Sequence, residues 1–182
     1  IETVGVGQSE TMVAEMADLF VLLLAPAGGD ELQGVKRGIM EMADLILVNK
    51  ADGDLKAAAT RTCADYAGAL RLLRKRGQDP EDFPKALMVS AIEGNGLHQS
   101  WIEMQALVAW RKKNEVWQKI RADQNAFWFN TELRHALLTR LENDPEAAAA
   151  SSAMQTAIRA GEVAPSVAAE RVVQSFLRIK KT

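Results

Sequence analysis

The sequence predicts an α/β core with a parallel sheet, followed by a segment that is entirely helical. Three short apolar runs show no alternation with polar residues, which is typical of strands buried on both faces: Leu19–Ala25, Leu45–Val48 and Ala86–Val89. Helical periodicity separates these runs, and alternating strands and helices favour a parallel sheet covered on both sides. After Gly96 no further strand-like run occurs, so the remainder of the chain is expected to be helical.

The helices between the strands are predicted from apolar spacing and from residues typical of helix ends. Apolar residues recur at helical spacing over residues 32–43, with Asp30 in a capping position. Asp54 is expected to cap a long helix over about residues 55–76, and Gly77 is expected to end it. These two helices would form the crossovers between consecutive parallel strands.

The helical segment contains four predicted helices. The first carries Trp101 on its apolar side, the second ends before Asp144-Pro145, the third is alanine-rich up to Gly161, and the fourth begins at Pro165. All four tryptophans lie within residues 101–129, which is more apolar surface than one small sheet is expected to cover. These side chains form either a helical core packed on the α/β domain or a dimer interface. We place the domain boundary between residues 1–112 and residues 113–182.

Composition restricts the classes of function. The 182 residues carry a formal charge of −2, so there is no overall basic field for nucleic acid or an anionic membrane surface. The longest apolar run, Leu19–Pro26, is far shorter than the ~20 residues of a membrane span. A single cysteine, Cys63, excludes an internal disulfide and suits a reducing compartment such as the cytoplasm. We expect Cys63 to be packed on a helix rather than reactive.

Asn49-Lys50-Ala51-Asp52 directly follows the second predicted strand. Ligands of open α/β sheets bind outside the carboxyl ends of the strands, where this segment is expected to lie. The Asp52 carboxylate can accept hydrogen bonds from guanine N1–H and the exocyclic amine, Asn49 can bond the purine edge, and the Lys50 stem can cover the ring. Taken alone, the same four residues are better explained as a capped turn with a solvated lysine.

A second motif, Ser90-Ala91 followed by a glycine-rich turn up to Leu97, comes directly after the third predicted strand. Its backbone N–H groups can face a base carbonyl oxygen, although a glycine-rich turn into a helix is the simpler interpretation. Together with the Asn49–Asp52 segment one strand earlier, it favours recognition of guanine. The opening Glu2-Thr3-Val4-Gly5 then fits an acidic-x-x-Gly element, with Glu2 near a Mg²⁺ ion and the Gly5 N–H near a terminal phosphate.

With these motifs in place, the chain resembles the MeaB/ArgK family. The resemblance rests on the segments Glu2–Glu10, Gly29–Lys36 and Asn49–Asp52, and it extends from Ile1 to about Leu97. These are metallochaperone-type P-loop GTPases that associate with methylmalonyl-CoA mutase, also described as LAO/AO transport-system ATPases. The helical segment fits the dimerising extension of the family more loosely.

The resemblance implies specific roles for several residues. Gly5 to Glu10 would form switch II, in which Gln8 is a candidate catalytic residue although Val6 occupies the position directly after Gly5. Lys36 would reach the nucleotide or switch II, where a cation stabilises developing phosphate charge; a solvated helix lysine is the alternative. Asn49, Lys50, Asp52, Ser90 and Ala91 would bind GTP or GDP, and Glu2 would lie in the second shell of Mg²⁺.

No GxxxxGK[ST] phosphate loop occurs in the 182 residues. We therefore expect the chain to be the C-terminal half of a P-loop GTPase domain plus a helical dimerisation arm, inactive without an upstream segment. The predicted function of the complete protein is a GTPase that assists adenosylcobalamin loading and protection of methylmalonyl-CoA mutase, as a cytoplasmic homodimer. The alternatives are a non-catalytic helical dimerisation fragment and a GTPase serving a different acyl-CoA mutase.

Other candidate sites are weaker. His98 and His135 lack metal-ligand spacing with Cys63 or with each other. The basic clusters Arg74–Arg76 and Arg111–Lys113 are expected to be solvated helix ends, since cations are favoured near helix C-termini. No nucleic-acid partner is predicted from them.

Overall fold

The computed structural model describes residues 9–26, 37–73 and 75–179. The elements in chain order are α1 (Ser9–Ala14), β1 (Val21–Leu24), α2 (Arg37–Met42), β2 (Leu45–Val48), α3 (Lys56–Leu72), β3 (Lys85–Met88), α4 (Leu97–Lys113), α5 (Val116–Glu142), α6 (Pro145–Arg159) and α7 (Pro165–Ile179). The chain divides into two compact units, residues 1–125 and 126–182, with the division inside α5. The predicted boundary at residues 112 and 113 stays a prediction.

The first unit contains a parallel sheet with strand order β1-β2-β3, as the uninterrupted apolar runs predict. The central strand β2 is buried along its whole length. Ile46 packs into one core cluster with Phe20 and residues of α2 and α3, while Leu45 and Leu47 pack into another with Leu107 of α4. Alternate side chains of β2 thus point into two separate cores, which is why this strand is apolar throughout.

The helix after β2 begins and ends differently from the sequence expectation. A 3₁₀ turn, Gly53–Leu55, precedes α3, and Leu55 rather than Asp54 occupies its N-cap position. The Leu55 N–H bonds to the Asp52 carbonyl at 3.0 Å, so the chain completes this tighter turn first. The expectation that Asp54 caps this helix is therefore wrong. The helix also ends at Leu72, before Gly77, because the following Leu73 is extended.

Arg76 and Arg111 are not solvated helix ends, contrary to the sequence expectation. Arg111, at 2% exposure, forms ion pairs with Asp44 and Asp79, and Arg76 pairs with the same two carboxylates. The Asp44 carboxylate also accepts the Phe20 N–H at 2.8 Å. Two guanidinium groups and two carboxylates balance each other, and this compensation makes their burial tolerable.

The segment between α1 and β1 is held by side chains of α4 and α5. Arg111 donates to the Asp18 carbonyl at 3.0 Å, and Arg121 forms a bidentate pair with the Asp18 carboxylate at 2.7 and 2.6 Å. Gln124 donates to the Ala17 carbonyl at 2.9 Å. The carbonyl groups of Ala17 and Asp18 lie outside any helix or strand, and the neighbouring helices supply their donors.

The second unit contains the end of α5 together with α6 and α7. The Asp144 side chain caps α6 by accepting the N–H groups of Glu146 and Ala147 at 3.1 and 3.0 Å, with Pro145 in the first turn. Gly161, with φ 74°, follows the end of α6. The predicted helix start at Pro165 is confirmed. No helix in the described ranges is long and apolar enough to cross a membrane.

We predict that Arg111→Ala lowers the free energy of unfolding by about 3–5 kcal/mol, because it leaves Asp44 and Asp79 buried with one cation fewer. Urea unfolding followed by circular dichroism measures the loss. Lys113→Ala, an exposed change two residues along the same helix, is the control and should shift stability by no more than about 0.5 kcal/mol. Equal effects from the two variants would contradict the role assigned to the buried cluster.

Candidate functional site

The Asn49–Asp52 segment and the Ser90–Gly96 loop lie side by side at the carboxyl end of the sheet. They follow β2 and β3, which are paired in parallel from Leu45 with Lys85 to Val48 with Met88. The pairing continues beyond the strands, because Val89 N–H bonds to the Val48 carbonyl at 2.9 Å and Ala51 N–H to the Val89 carbonyl at 3.1 Å. The strand register therefore fixes where the two segments meet.

Two hydrogen bonds join these segments directly. The Ser90 hydroxyl donates to the Asp52 carboxylate at Oδ2, and the Ala91 N–H donates to Asn49 Oδ1 at 3.2 Å. Four of the five residues predicted to recognise the base are thus brought together. The placement of these residues follows the sequence expectation, while their role in binding stays a prediction.

Lys50, the fifth predicted base-recognition residue, has a left-handed backbone with φ 58° and an exposed side chain. A residue other than glycine adopts this conformation at a cost of order 1 kcal/mol, and such strain concentrates at functional sites. Asn49 on one side bonds through its N–H to the Leu24 carbonyl at 2.8 Å, and Ala51 on the other side is bonded to Val89. Bonds on both sides hold the strained residue in place and leave its side chain facing solvent.

Ser90 organises the second loop from within. It is fully buried, its N–H bonds to the Asn95 carbonyl at 2.9 Å, and its carbonyl accepts the Gly94 N–H at 2.9 Å. Its hydroxyl oxygen accepts the Glu93 N–H at 3.0 Å while donating to Asp52. One buried hydroxyl therefore links the loop's own fold to the carboxylate of the neighbouring segment.

Cys63 lies beneath the site on α3. It is partly buried against a small cluster of Val48, Ala51 and Ala59. Burial raises the pKa of the Cys63 thiol above its ordinary value, which favours the protonated, unreactive form. The packed role expected for this cysteine agrees with its surroundings.

The remaining predicted site residues lie outside the described part of the chain. These are Glu2, Gly5, Gln8 and Lys36, to which the resemblance assigns the metal, phosphate and catalytic functions. The sequence reasoning also missed Ser100, which contacts the end of the Ser90–Gly96 loop. Ser100, at 2% exposure, donates its hydroxyl to the Gly96 carbonyl at 2.6 Å. The available signal in the sequence was a serine four residues after Gly96, in the first turn of α4, where its hydroxyl can reach the Gly96 carbonyl.

The parallel sheet with flanking helices and polar loops at its carboxyl edge makes this an α/β protein similar in fold to the P-loop GTPases. A solved structure described as an LAO/AO transport system kinase matches with a TM-score of 0.71 and 29% identity, covering 97% of this chain and 55% of that one. The family model for methylmalonyl-CoA mutase-associated GTPase MeaB matches residues 1–146. The chain belongs to this MeaB family.

Sequence identity to proteins of bacteria and of mouse supports this assignment. A Caulobacter vibrioides protein, described by name only as a GTPase, is 43% identical over 97% of this chain and 53% of its own length. The mouse methylmalonic aciduria type A homolog, a mitochondrial protein, is 40% identical over 97% of this chain and 42% of its own length. The Escherichia coli GTPase ArgK is 38% identical over 78% of this chain and 42% of its own length. The chain spans about half the length of these relatives.

We predict that Ser90→Ala lowers the free energy of unfolding by about 1–3 kcal/mol, because it leaves the Asp52 carboxylate and the Glu93 N–H without this buried partner. Thermal unfolding provides the measurement. Asn95→Ala is the matched control in the same loop, since that side chain bonds to Glu93 on the exposed surface at 2.6 Å. A loss for Asn95→Ala as large as that for Ser90→Ala would count against the proposed role of the buried hydroxyl.

Proposed function

We propose that the chain supplies the guanine-recognising part of a GTPase of the MeaB family. The observation that carries the proposal is the pair of hydrogen bonds from Ser90 to Asp52 and from Ala91 to Asn49. They hold a carboxylate, an amide and a backbone N–H together at the carboxyl edge of a parallel sheet, where ligands of such sheets bind. These groups match the donors and acceptors along one edge of guanine.

Each base-site residue then has a distinct task. Asp52 accepts hydrogen bonds from guanine N1–H and the exocyclic amine, and Ser90 fixes the orientation of that carboxylate. Asn49 bonds the purine edge, and the Ala91 N–H, which donates to Asn49 Oδ1 in this structure, exchanges that partner for the base carbonyl oxygen when a nucleotide binds. The Lys50 stem covers the ring from the solvent side, in keeping with its exposed side chain.

The phosphate chemistry belongs to the segments outside the described ranges. We propose that Glu2 holds Mg²⁺ through water, that the Gly5 N–H approaches the terminal phosphate, and that Lys36 stabilises charge developing there. Gln8 is the candidate for orienting the attacking water. Hydrolysis of GTP to GDP and phosphate is proposed for a longer polypeptide, of about the relatives' full length, that contains this chain, and a P-loop segment would supply the phosphate cradle.

We predict that Asp52→Asn in that longer polypeptide reverses the preference between guanine and xanthine nucleotides. An asparagine can donate to the C2 carbonyl of xanthine, whereas it opposes the guanine amine with a second donor. The affinity ratio of GDP to XDP should fall by about tenfold or more, given the ~1–3 kcal/mol carried by a bidentate base contact. Competition binding measures the ratio.

Asp54→Asn is the matched control for this change. Asp54 is exposed in the 3₁₀ turn two residues further along, so its substitution should leave the ratio unaltered. An Asp52→Asn variant that retains the original preference for GDP would show that the base assignment is wrong.

The proposed biological role is assistance to methylmalonyl-CoA mutase. The family description and the name of the mouse relative, which refers to methylmalonic aciduria, support this partner. On this proposal, GTP binding and hydrolysis gate the loading of adenosylcobalamin and protect the mutase in the cytoplasm. A different acyl-CoA mutase is the alternative partner.

Exposed apolar side chains on α5 support a homodimer. Phe129, Leu133 and Leu137 recur every four residues and are exposed by 66%, 44% and 51%. Residues at this spacing lie along one face of a helix and can meet a second copy. The same face would serve the other candidate function, a non-catalytic dimerisation module.

We predict that the longer polypeptide has the mass of a dimer in solution. We also predict that it forms a complex with methylmalonyl-CoA mutase when a non-hydrolysable GTP analogue is present. Size-exclusion chromatography with light scattering measures both masses. Phe129→Glu should reduce the dimer to a monomer, because it places charge on the apolar face, while His135→Gln on another face of α5 should not. Dimerisation without nucleotide binding would favour the non-catalytic module, and a complex with another acyl-CoA mutase alone would identify the alternative partner.

A further inference from the structure

Gly96, at the end of the second loop, lies unusually close to the strand that precedes the loop. A Cβ atom placed on Gly96 would be 2.2 Å from the Met88 carbonyl oxygen, 3.2 Å from its carbonyl carbon and 3.3 Å from the Val89 Cα. All three are backbone atoms, and Met88 is paired with Val48 in the sheet. The strand cannot move aside without disturbing this pairing, so a side chain at Gly96 must displace the loop.

The opposite side of Gly96 is held by α4. The Gly96 carbonyl accepts both the N–H of Ser100 at 2.9 Å and its hydroxyl at 2.6 Å. Ser100 is buried, and Gly96 itself is the N-cap residue of α4. Gly96 is therefore confined between the end of β3 and the first turn of this helix.

Gly94 provides an internal comparison. Its φ of 76° is nearly the same as the 75° of Gly96, so both positions favour glycine on conformational grounds. A Cβ on Gly94, however, would meet no described atom within 4 Å. The two glycines share the backbone conformation and differ in the close approach.

We infer that Gly96 is a positioning residue for base recognition, and that its close approach to Met88 sets the separation between the two ends of the loop. This inference rests on the proposed function. Since the ends touch, the loop closes tightly over residues 90–95, and Ser90 and Ala91 are held against Asp52 and Asn49. Widening the closure moves the Ser90 hydroxyl away from Asp52, and the carboxylate loses the orientation that distinguishes guanine.

The test compares Gly96→Ala with Gly94→Ala in the longer polypeptide that carries this chain. Affinities for GDP and IDP are measured by calorimetry, because hypoxanthine lacks the exocyclic amine that Asp52 would accept. We expect the parent protein to favour GDP by about tenfold, as for a hydrogen bond to a charged group. Gly96→Ala should bring this ratio close to one, while Gly94→Ala, with the same backbone strain, should preserve it.

Ser100→Ala serves as a second variant in case Gly96→Ala does not fold. It removes one hydroxyl bond from the Gly96 carbonyl without adding bulk, and it should lower the GDP to IDP ratio by a few-fold. An unchanged GDP to IDP ratio in every folded variant, even with lower melting temperatures, would overturn the inference about Gly96. It would not contradict the proposed base site. A parent protein that binds GDP and IDP equally would instead refute the proposed contact between Asp52 and guanine.

Discussion

The buried ion cluster around Arg111 is the constraint on which the first unit depends. Arg111 lies at the end of α4, Asp44 immediately precedes β2, and Asp79 lies in the connection from α3 to β3. Burial opposes the charge of Arg111, but the two carboxylates outweigh it and raise the pKa of the guanidinium above its ordinary value. A buried charge without its partners is costly, so the fold must bring these three segments into contact. This contact fixes the position of the amino end of β2.

The polar loops at the carboxyl end of the sheet depend on that arrangement through the strands. β2 is buried on both faces and carries the register from Asp44 at one end to Asn49 at the other. Beyond the strands, the Asn49–Asp52 segment and the Ser90–Gly96 loop are joined by side chain–backbone and side chain–side chain hydrogen bonds. The paired strands β2 and β3 therefore position these loops, and hydrogen bonds between the loops' own polar groups fix their conformation.

The sequence predicted those parts of the structure that depend on local pattern. The apolar run of β2, the alternation with helices and the helix start at Pro165 were all recognisable, and the position of both motifs directly after strands of one parallel sheet suggested that Asn49 lies near Ala91. Arg111 was misjudged because its partners Asp44 and Asp79 are 67 and 32 residues away, while a cation at a helix end looks solvated. Asp54 was misjudged because a tight turn competes with the helix start. Gly94 and Gly96 look alike in sequence, and only the packing against Met88 separates them.

The two loops of the proposed base site are restricted by backbone conformation and by close packing. The left-handed backbone of Lys50 and the close approach of Gly96 each restrict the chain, and both are held by contacts within the chain itself. On the proposed function, binding of a base would require little further ordering of these loops, which is the main way in which a rigid site gains affinity. On the proposed function, the same reasoning predicts that discrimination between bases depends on residues that do not contact the base. The Asp52 carboxylate is oriented by Ser90, Ser90 by its loop, and the loop by Gly96 and Ser100 behind it.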